Sequence, residues 1–129
     1  MDNKALIQEA IEAKKNSYSP YSNFAVGAAL LCKDGKIYRG CNIENGAYPT
    51  SMCAERVALF KAVSEGKRDF IGIAIVSSSG EITPPCGACR QALSEFVKGE
   101  FKVILAKSQD EYKTYDFAEL LPLSFKLEK

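Results

Sequence analysis

Apolar residues recur along this chain in blocks whose period shifts between helical and strand-like spacing. Over residues 3–16, Leu6, Ile7, Ala10, Ile11 and Ala13 fall on one helix face, and Asp2 stands where an N-cap belongs. The run Ser17-Tyr18-Ser19-Pro20-Tyr21-Ser22-Asn23 is rich in turn formers and ends that helix. Residues 24–33 are apolar on both faces, which predicts an inner strand covered by helices. Asp34-Gly35 then makes a tight turn into a second strand over 36–43, and 44–52 is an irregular loop with Gly46 and Pro49. A helix opens near Cys53 and ends before Gly66. It is apolar nearly all round, so it is expected to be buried on several sides, by a subunit interface as well as by the core.

The second half repeats the alternation. Residues 70–76 form a third strand, and a loop of Ser, Gly and Pro leads to Pro85. A helix follows over 87–97 and stops at Gly99, then a fourth strand over 101–107. A polar turn, a short edge strand over 113–116 and a short helix over 117–121, stopped by Pro122, complete the chain. The expected fold is α/β and three-layered, with a mixed sheet of about five strands and helices on both faces. Residues 1–129 read as a single domain.

Composition narrows the function. A hydrophobic content of 47% excludes disorder. The net charge is +1 and the Lys and Arg residues are scattered, so nothing concentrates the positive charge that a polynucleotide requires. A small, uncharged substrate is expected instead. No stretch has the length of a membrane span or the apolar core of a signal peptide. Five cysteines, an odd number, read as reduced thiols in the cytoplasm rather than a disulfide framework. There is no histidine. A metal must therefore rest on thiolates and carboxylates, and a general base must be Asp, Glu or something rarer.

The candidate chemistry lies in Cys53-Ala54-Glu55-Arg56 and Pro85-Cys86-Gly87-Ala88-Cys89. Three thiols suit zinc, whose fourth position is then open to water. Glu55 is too close to Cys53 along the chain to be an easy co-ligand, and it is well placed to move protons. This is the arrangement of the zinc deaminases. Cys86 and Cys89 project from the same side of a first helical turn, and Cys53 begins another helix. The helix–strand–loop crossover between them can bring both helix starts to one spot, where their positive ends favour thiolates. Three thiolates on Zn2+ leave a net charge of about −1, which Arg56 can offset by hydrogen-bonding a ligand sulfur. Alternatively, Arg56 is a solvated surface residue. A closed structural zinc site with Cys32 or Cys41 as fourth ligand is the other reading of the thiols, although it leaves Glu55 idle. Lone cysteines in strands are usually small core residues.

Asn42-Ile43-Glu44-Asn45-Gly46-Ala47-Tyr48, Cys53-Ala54-Glu55-Arg56 and Pro85-Cys86-Gly87-Ala88-Cys89-Arg90-Gln91 resemble the motifs of the small homotetrameric cytidine deaminases. Tyr18-Ser19-Pro20-Tyr21-Ser22 with Phe24, and Leu120-Leu121-Pro122 with Phe125, extend the likeness over nearly the whole chain. Gly46 departs from it, alanine being usual there. The resemblance implies hydrolytic deamination of free cytidine and 2′-deoxycytidine to the uridine forms, with release of ammonia. It implies one Zn2+ per subunit on Cys53, Cys86 and Cys89, with Glu55 as proton shuttle. It further implies substrate contacts from Phe24, Asn42, Glu44, Gly46, Tyr48, Ala54 and Phe125. Of these, Tyr48 and Phe125 would reach a neighbouring subunit's pocket in a homotetramer. Asn42 and Glu44, two apart at a strand end, share a face and would meet the ribose hydroxyls. A Glu accepting from a 3′-OH disfavours a 3′-linked chain. Without the family, Glu44 reads as a polar loop carboxylate and Phe24 as core. A deaminase of blasticidin S type remains the enzymatic alternative.

Overall fold

The computed structural model describes residues 1–128. The elements run α1 (Asn3–Lys14), β1 (Val26–Cys32), β2 (Ile37–Cys41), a 3-10 turn (Tyr48–Thr50), α2 (Ala54–Ser64), β3 (Phe70–Ser77), α3 (Gly87–Ser94), β4 (Lys102–Ala106), β5 (Tyr112–Asp116) and α4 (Phe117–Leu120). One five-stranded sheet has the order β2-β1-β3-β4-β5. Only β3 and β4 pair in parallel; β1 pairs antiparallel with both β2 and β3, and β5 antiparallel with β4. The sheet is mixed, as expected, and β1 is an inner strand.

Its two faces are covered differently. Leu6, Ile7 and Ala10 of α1 pack on Ala29, Ala74, Val76 and Ile104. On the other face, Ala54, Ala58, Leu59 and Ala62 of α2 and Leu93 of α3 pack on Ala28, Leu30, Ile73, Ile75, Val103 and Leu105. The period-two alternation along β1 and β3 assigns each strand residue its layer. Asp2 caps α1 through a 3.1 Å bond accepted from the Ala5 N–H, as its position in the sequence foretold.

The path of the strands decides where the helices begin. Because β1 is antiparallel to both its neighbours, β2 and β3 run in the same direction, and β4 runs with them. Each of β2 and β3 leads into a helix, so α2 and α3 both start at the carboxyl end of the sheet, where open α/β sheets bind ligands. Gly40 lets α2 lie close: a Cβ there would stand 2.3 Å from Ala54 O and 2.5 Å from Ala58 N.

Several boundaries differ from the expectations, and β2, expected over 36–43, spans Ile37–Cys41. β1 begins at Val26, leaving Phe24 and Ala25 outside the ladder. The 44–52 loop contains the 3-10 turn at Tyr48–Thr50, with Pro49 inside it. α3 stops at Ser94, after which Phe96 N–H bonds only three residues back, to Leu93 O, and Val97 N–H shares that carbonyl. β5 begins one residue earlier, at Tyr112.

Candidate active site

Cys53 and Cys86 are the residues immediately before α2 and α3, and neither uses its side chain to cap its helix. Both thiols are therefore free to face the gap between the two helix starts. Cys53 Sγ lies 3.8 Å from Cys86 Sγ, and Cys86 Sγ lies 3.4 Å from Cys89 Sγ. All three sulfurs fall within 4.8 Å of one another. Sulfurs about 2.3 Å from a tetrahedral zinc stand about 3.8 Å apart, so the spacing suits that ion. Cys32 and Cys41 do not belong to this group. Cys32 is instead buried in the core beneath α2.

The electrostatics fit a thiolate cluster. Arg56, one turn into α2, points Nη2 at Cys53 Sγ from 3.5 Å. Its Nε is also buried and has no partner among the described residues. The Cys53 thiol is pulled down to about 5, first by the hydrogen bond from Cys89 and further by Arg56, against the opposing effect of burial. Cys89 is pushed up by its bond to Cys53 and by burial, so of the two it is the thiol that stays protonated and donates.

Glu55 follows Cys53 directly and is 4% exposed. Burial pushes its carboxyl above the ordinary value, while a hydrogen bond from Cys89 works in the other direction. The group thus holds a proton to higher pH than a solvated glutamate does.

A cavity of about 290 Å³ opens above these groups, at the small end of ligand pockets. Phe24, Val26, Asn42, Glu44, Ser51, Met52, Cys53, Ala54, Glu55, Thr83, Pro84 and Cys86 line it. Its charged residues are Glu44 and Glu55, with no Lys or Arg in the wall. Asn42 is held rigidly: Oδ1 accepts from Val26 N at 2.9 Å and from Ser17 Oγ, and Nδ2 donates to Phe24 O at 2.7 Å. One Nδ2 hydrogen remains for a ligand. Glu44 accepts from the Tyr21 and Ser22 N–H groups at 3.0 and 3.1 Å and from Ser22 Oγ. The Ser22 hydroxyl is the main cause of its carboxyl lying below the usual range.

Of the residues singled out in the sequence, Phe24, Asn42, Glu44, Cys53, Ala54, Glu55 and Cys86 share this pocket. Cys89 is buried behind Cys86, and Arg56 stands at the thiols rather than in the wall. Gly46, Tyr48 and Phe125 lie outside the wall. A Cβ on Gly46 would stand 3.2 Å from the Tyr21 hydroxyl, and Tyr48 packs edge-on against Tyr21 with ring centroids 6.0 Å apart. Phe125 is 69% exposed, and its carbonyl is held by Gln91 Nε2 at 3.1 Å. Val26, Ser51, Met52, Thr83 and Pro84 were not anticipated. Only the position of Thr83 and Pro84 just before Pro85-Cys86 hinted at them.

Residues 1–105 match the family model of the cytidine and deoxycytidylate deaminase zinc-binding region. The chain belongs to this family. It is 51% identical over 128 residues to a cytidine deaminase of Halalkalibacterium halodurans, covering 99% of this chain and 97% of that one. A crystal structure of cytidine deaminase from Burkholderia pseudomallei superposes with a TM-score of 0.91 at 44% identity, covering 97% of this chain and 100% of the other. A blasticidin-S deaminase of Bacillus cereus is more distant, 32% identical over 108 residues, with 78% of this chain and 76% of that one covered. The mixed five-stranded α/β architecture is that of cytidine deaminase structures. The zinc-binding region of the family contains the three-thiol group.

Proposed function

We propose that this chain hydrolyses free cytidine and 2′-deoxycytidine to uridine and 2′-deoxyuridine, releasing ammonia, as one catalytic domain. The observation that carries the reading is the buried Glu55 carboxyl beside three clustered thiols in a pocket edged by Asn42 and Glu44. Cys53, Cys86 and Cys89 would hold the zinc. Bound there, zinc would supply the Lewis acidity that makes water nucleophilic near neutral pH. Glu55 takes a proton from the attacking water and passes it to N3 of the pyrimidine as oxygen adds to C4. It then helps protonate the departing amine as the C4–N bond breaks, acting as base and then as acid. Water and cytidine are consumed together, and uridine and ammonia leave.

The remaining residues bind and orient. Phe24 and the Ala54 backbone border the space for the ring. Asn42 offers its spare N–H to a ribose hydroxyl, and Glu44 accepts from one. A wall that carries two carboxylates and no cation favours a neutral nucleoside over a 3′-linked polynucleotide. Arg56 moderates the thiolate charge. Tyr48 and Phe125, exposed at 70% and 69%, would reach a neighbouring pocket in a homotetramer. Gly46 leaves room for the Tyr21 hydroxyl, which a Cβ there would meet at 3.2 Å. The unpaired thiols accord with a cytoplasmic enzyme. Among the described residues, no helix is long and apolar enough to cross a membrane.

The test is turnover by zinc-loaded protein of cytidine, 2′-deoxycytidine, blasticidin S and a single-stranded oligonucleotide. The two nucleosides should be consumed, and the antibiotic and the oligonucleotide left intact. Preference for either of the latter would overturn the assignment.

A further inference from the structure

Two adjacent serines at the end of β3 hold separate walls of the pocket, and neither lines it. Ser77 continues the row of Ile73 and Ile75 on the face beneath α2 and α3. It is 7% exposed, where an apolar residue would continue the row. Its hydroxyl instead lies 2.6 Å from Thr83 Oγ1 and 2.8 Å from Ser79 Oγ, and accepts from Ser79 N at 3.3 Å. Those bonds tie the 78–85 loop to the sheet, and that loop carries Thr83 and Pro84 into the wall.

Ser78 points the other way along the same edge. Its N–H donates to Ala25 O at 2.8 Å, and its Oγ accepts from Ala25 N at 3.0 Å. Ala25 sits between Phe24 and Val26, both of which line the pocket. These residues precede or begin β1, so the ladder alone does not hold Phe24 and Ala25. The Ser78 side chain satisfies an N–H that no strand neighbour takes up.

We infer that Ser77 and Ser78 are positioning residues that set the distance between the Phe24–Val26 wall and the Thr83–Pro84 wall, and so the fit of the pyrimidine nucleoside. The inference rests on the deaminase reading and adds to it a determinant of substrate affinity outside the wall. Removing either hydroxyl lets one wall relax while leaving the thiols, Glu55 and Arg56 untouched. The effect belongs in KM rather than in the chemical step.

The experiment compares Ser77→Ala, Ser78→Ala and Ser78→Thr with wild type in steady-state turnover of cytidine, with zinc content measured on each. Ser78 is exposed and keeps its main-chain bond to Ala25 in every variant, so its alanine variant folds even where Ser77→Ala does not. Loss of one such bond should raise KM about three- to ten-fold and leave kcat within about two-fold, with zinc unchanged. Ser78→Thr, which restores the hydroxyl, should return KM to the wild-type value. Wild-type KM in the alanine variants, or a lower active fraction at unchanged KM, would overturn the inference while the deaminase reading stood. A wild type that leaves cytidine intact would refute that reading, and this inference with it.

Discussion

The sulfurs of Cys53 and Cys86 lie 3.8 Å apart across a sequence separation of 33 residues. The sheet produces this meeting. β2 and β3 run in the same direction on either side of β1, so the helices that follow them start at the same edge. Two helix N-termini then present their positive ends to one cluster of thiols. Cys86→Ala should therefore reduce zinc from about one per chain to near zero, since three protein ligands are the minimum of a catalytic site. The circular dichroism of the sheet should survive. Full zinc retention by the variant would show that the metal rests elsewhere.

Arg56 faces Cys53 from 3.5 Å. Arg56→Gln removes the positive charge that offsets the excess thiolate charge. Activity should fall roughly 10- to 100-fold, the usual effect of losing a group that hydrogen-bonds a metal ligand. Zinc transfer to a chelator should also quicken. Unchanged turnover and unchanged release would return Arg56 to the role of a surface residue.

Asn42 joins the hairpin to the start of β1 through Val26 N and Phe24 O. Asn42→Ala leaves the Val26 N–H without its side-chain acceptor. Urea denaturation should show a loss of about 1–3 kcal/mol, and KM for cytidine should rise because the spare amide hydrogen is gone. A variant as stable as wild type would contradict the geometry described for this side chain.

Glu44 is held below the ordinary carboxylate range, chiefly by the Ser22 hydroxyl. A depressed carboxyl contributes stability that is complete above its unfolded value and is lost as pH falls through its lower folded value. The Glu44 contacts to Tyr21 and Ser22 should thus persist into acid beyond the point at which a free glutamate protonates. Carbon-13 NMR of the carboxyl carbon, identified by its disappearance in Glu44→Gln, follows the titration. Ser22→Ala should move it up towards the free value of about 4.3. A wild-type titration at or above that value would contradict the assignment.

Much of this architecture was legible because local chemistry and tertiary context agree. Asp2 caps α1, Gly66 ends α2 with a positive φ of 91°, and the apolar run of β1 lies at the sheet interior. The thiol group was legible because zinc chemistry restricts ligand spacing along the chain. The start of β1 was not, because Phe24 and Ala25 satisfy the apolar pattern of a strand yet bond to Asn42 and Ser78 instead of a ladder. The end of α3 was obscured by Phe96 and Val97, which continue the apolar pattern but close the helix onto Leu93 O. Thr83 and Pro84 line the pocket through a loop held by side-chain hydroxyls, and periodicity carries no trace of such a bond. Tyr48 and Phe125, expected at the site from the resemblance, lie outside this pocket wall.

The central claim is that Glu55 moves the protons of a cytidine deamination. The most direct measurement is the ultraviolet absorbance of cytidine mixed with zinc-loaded wild type and, in parallel, with zinc-loaded Glu55→Gln. Wild type should convert cytidine to uridine, and the variant should keep its fold and its zinc while losing nearly all turnover. Full turnover by the variant, or none by the folded wild type, would contradict the account.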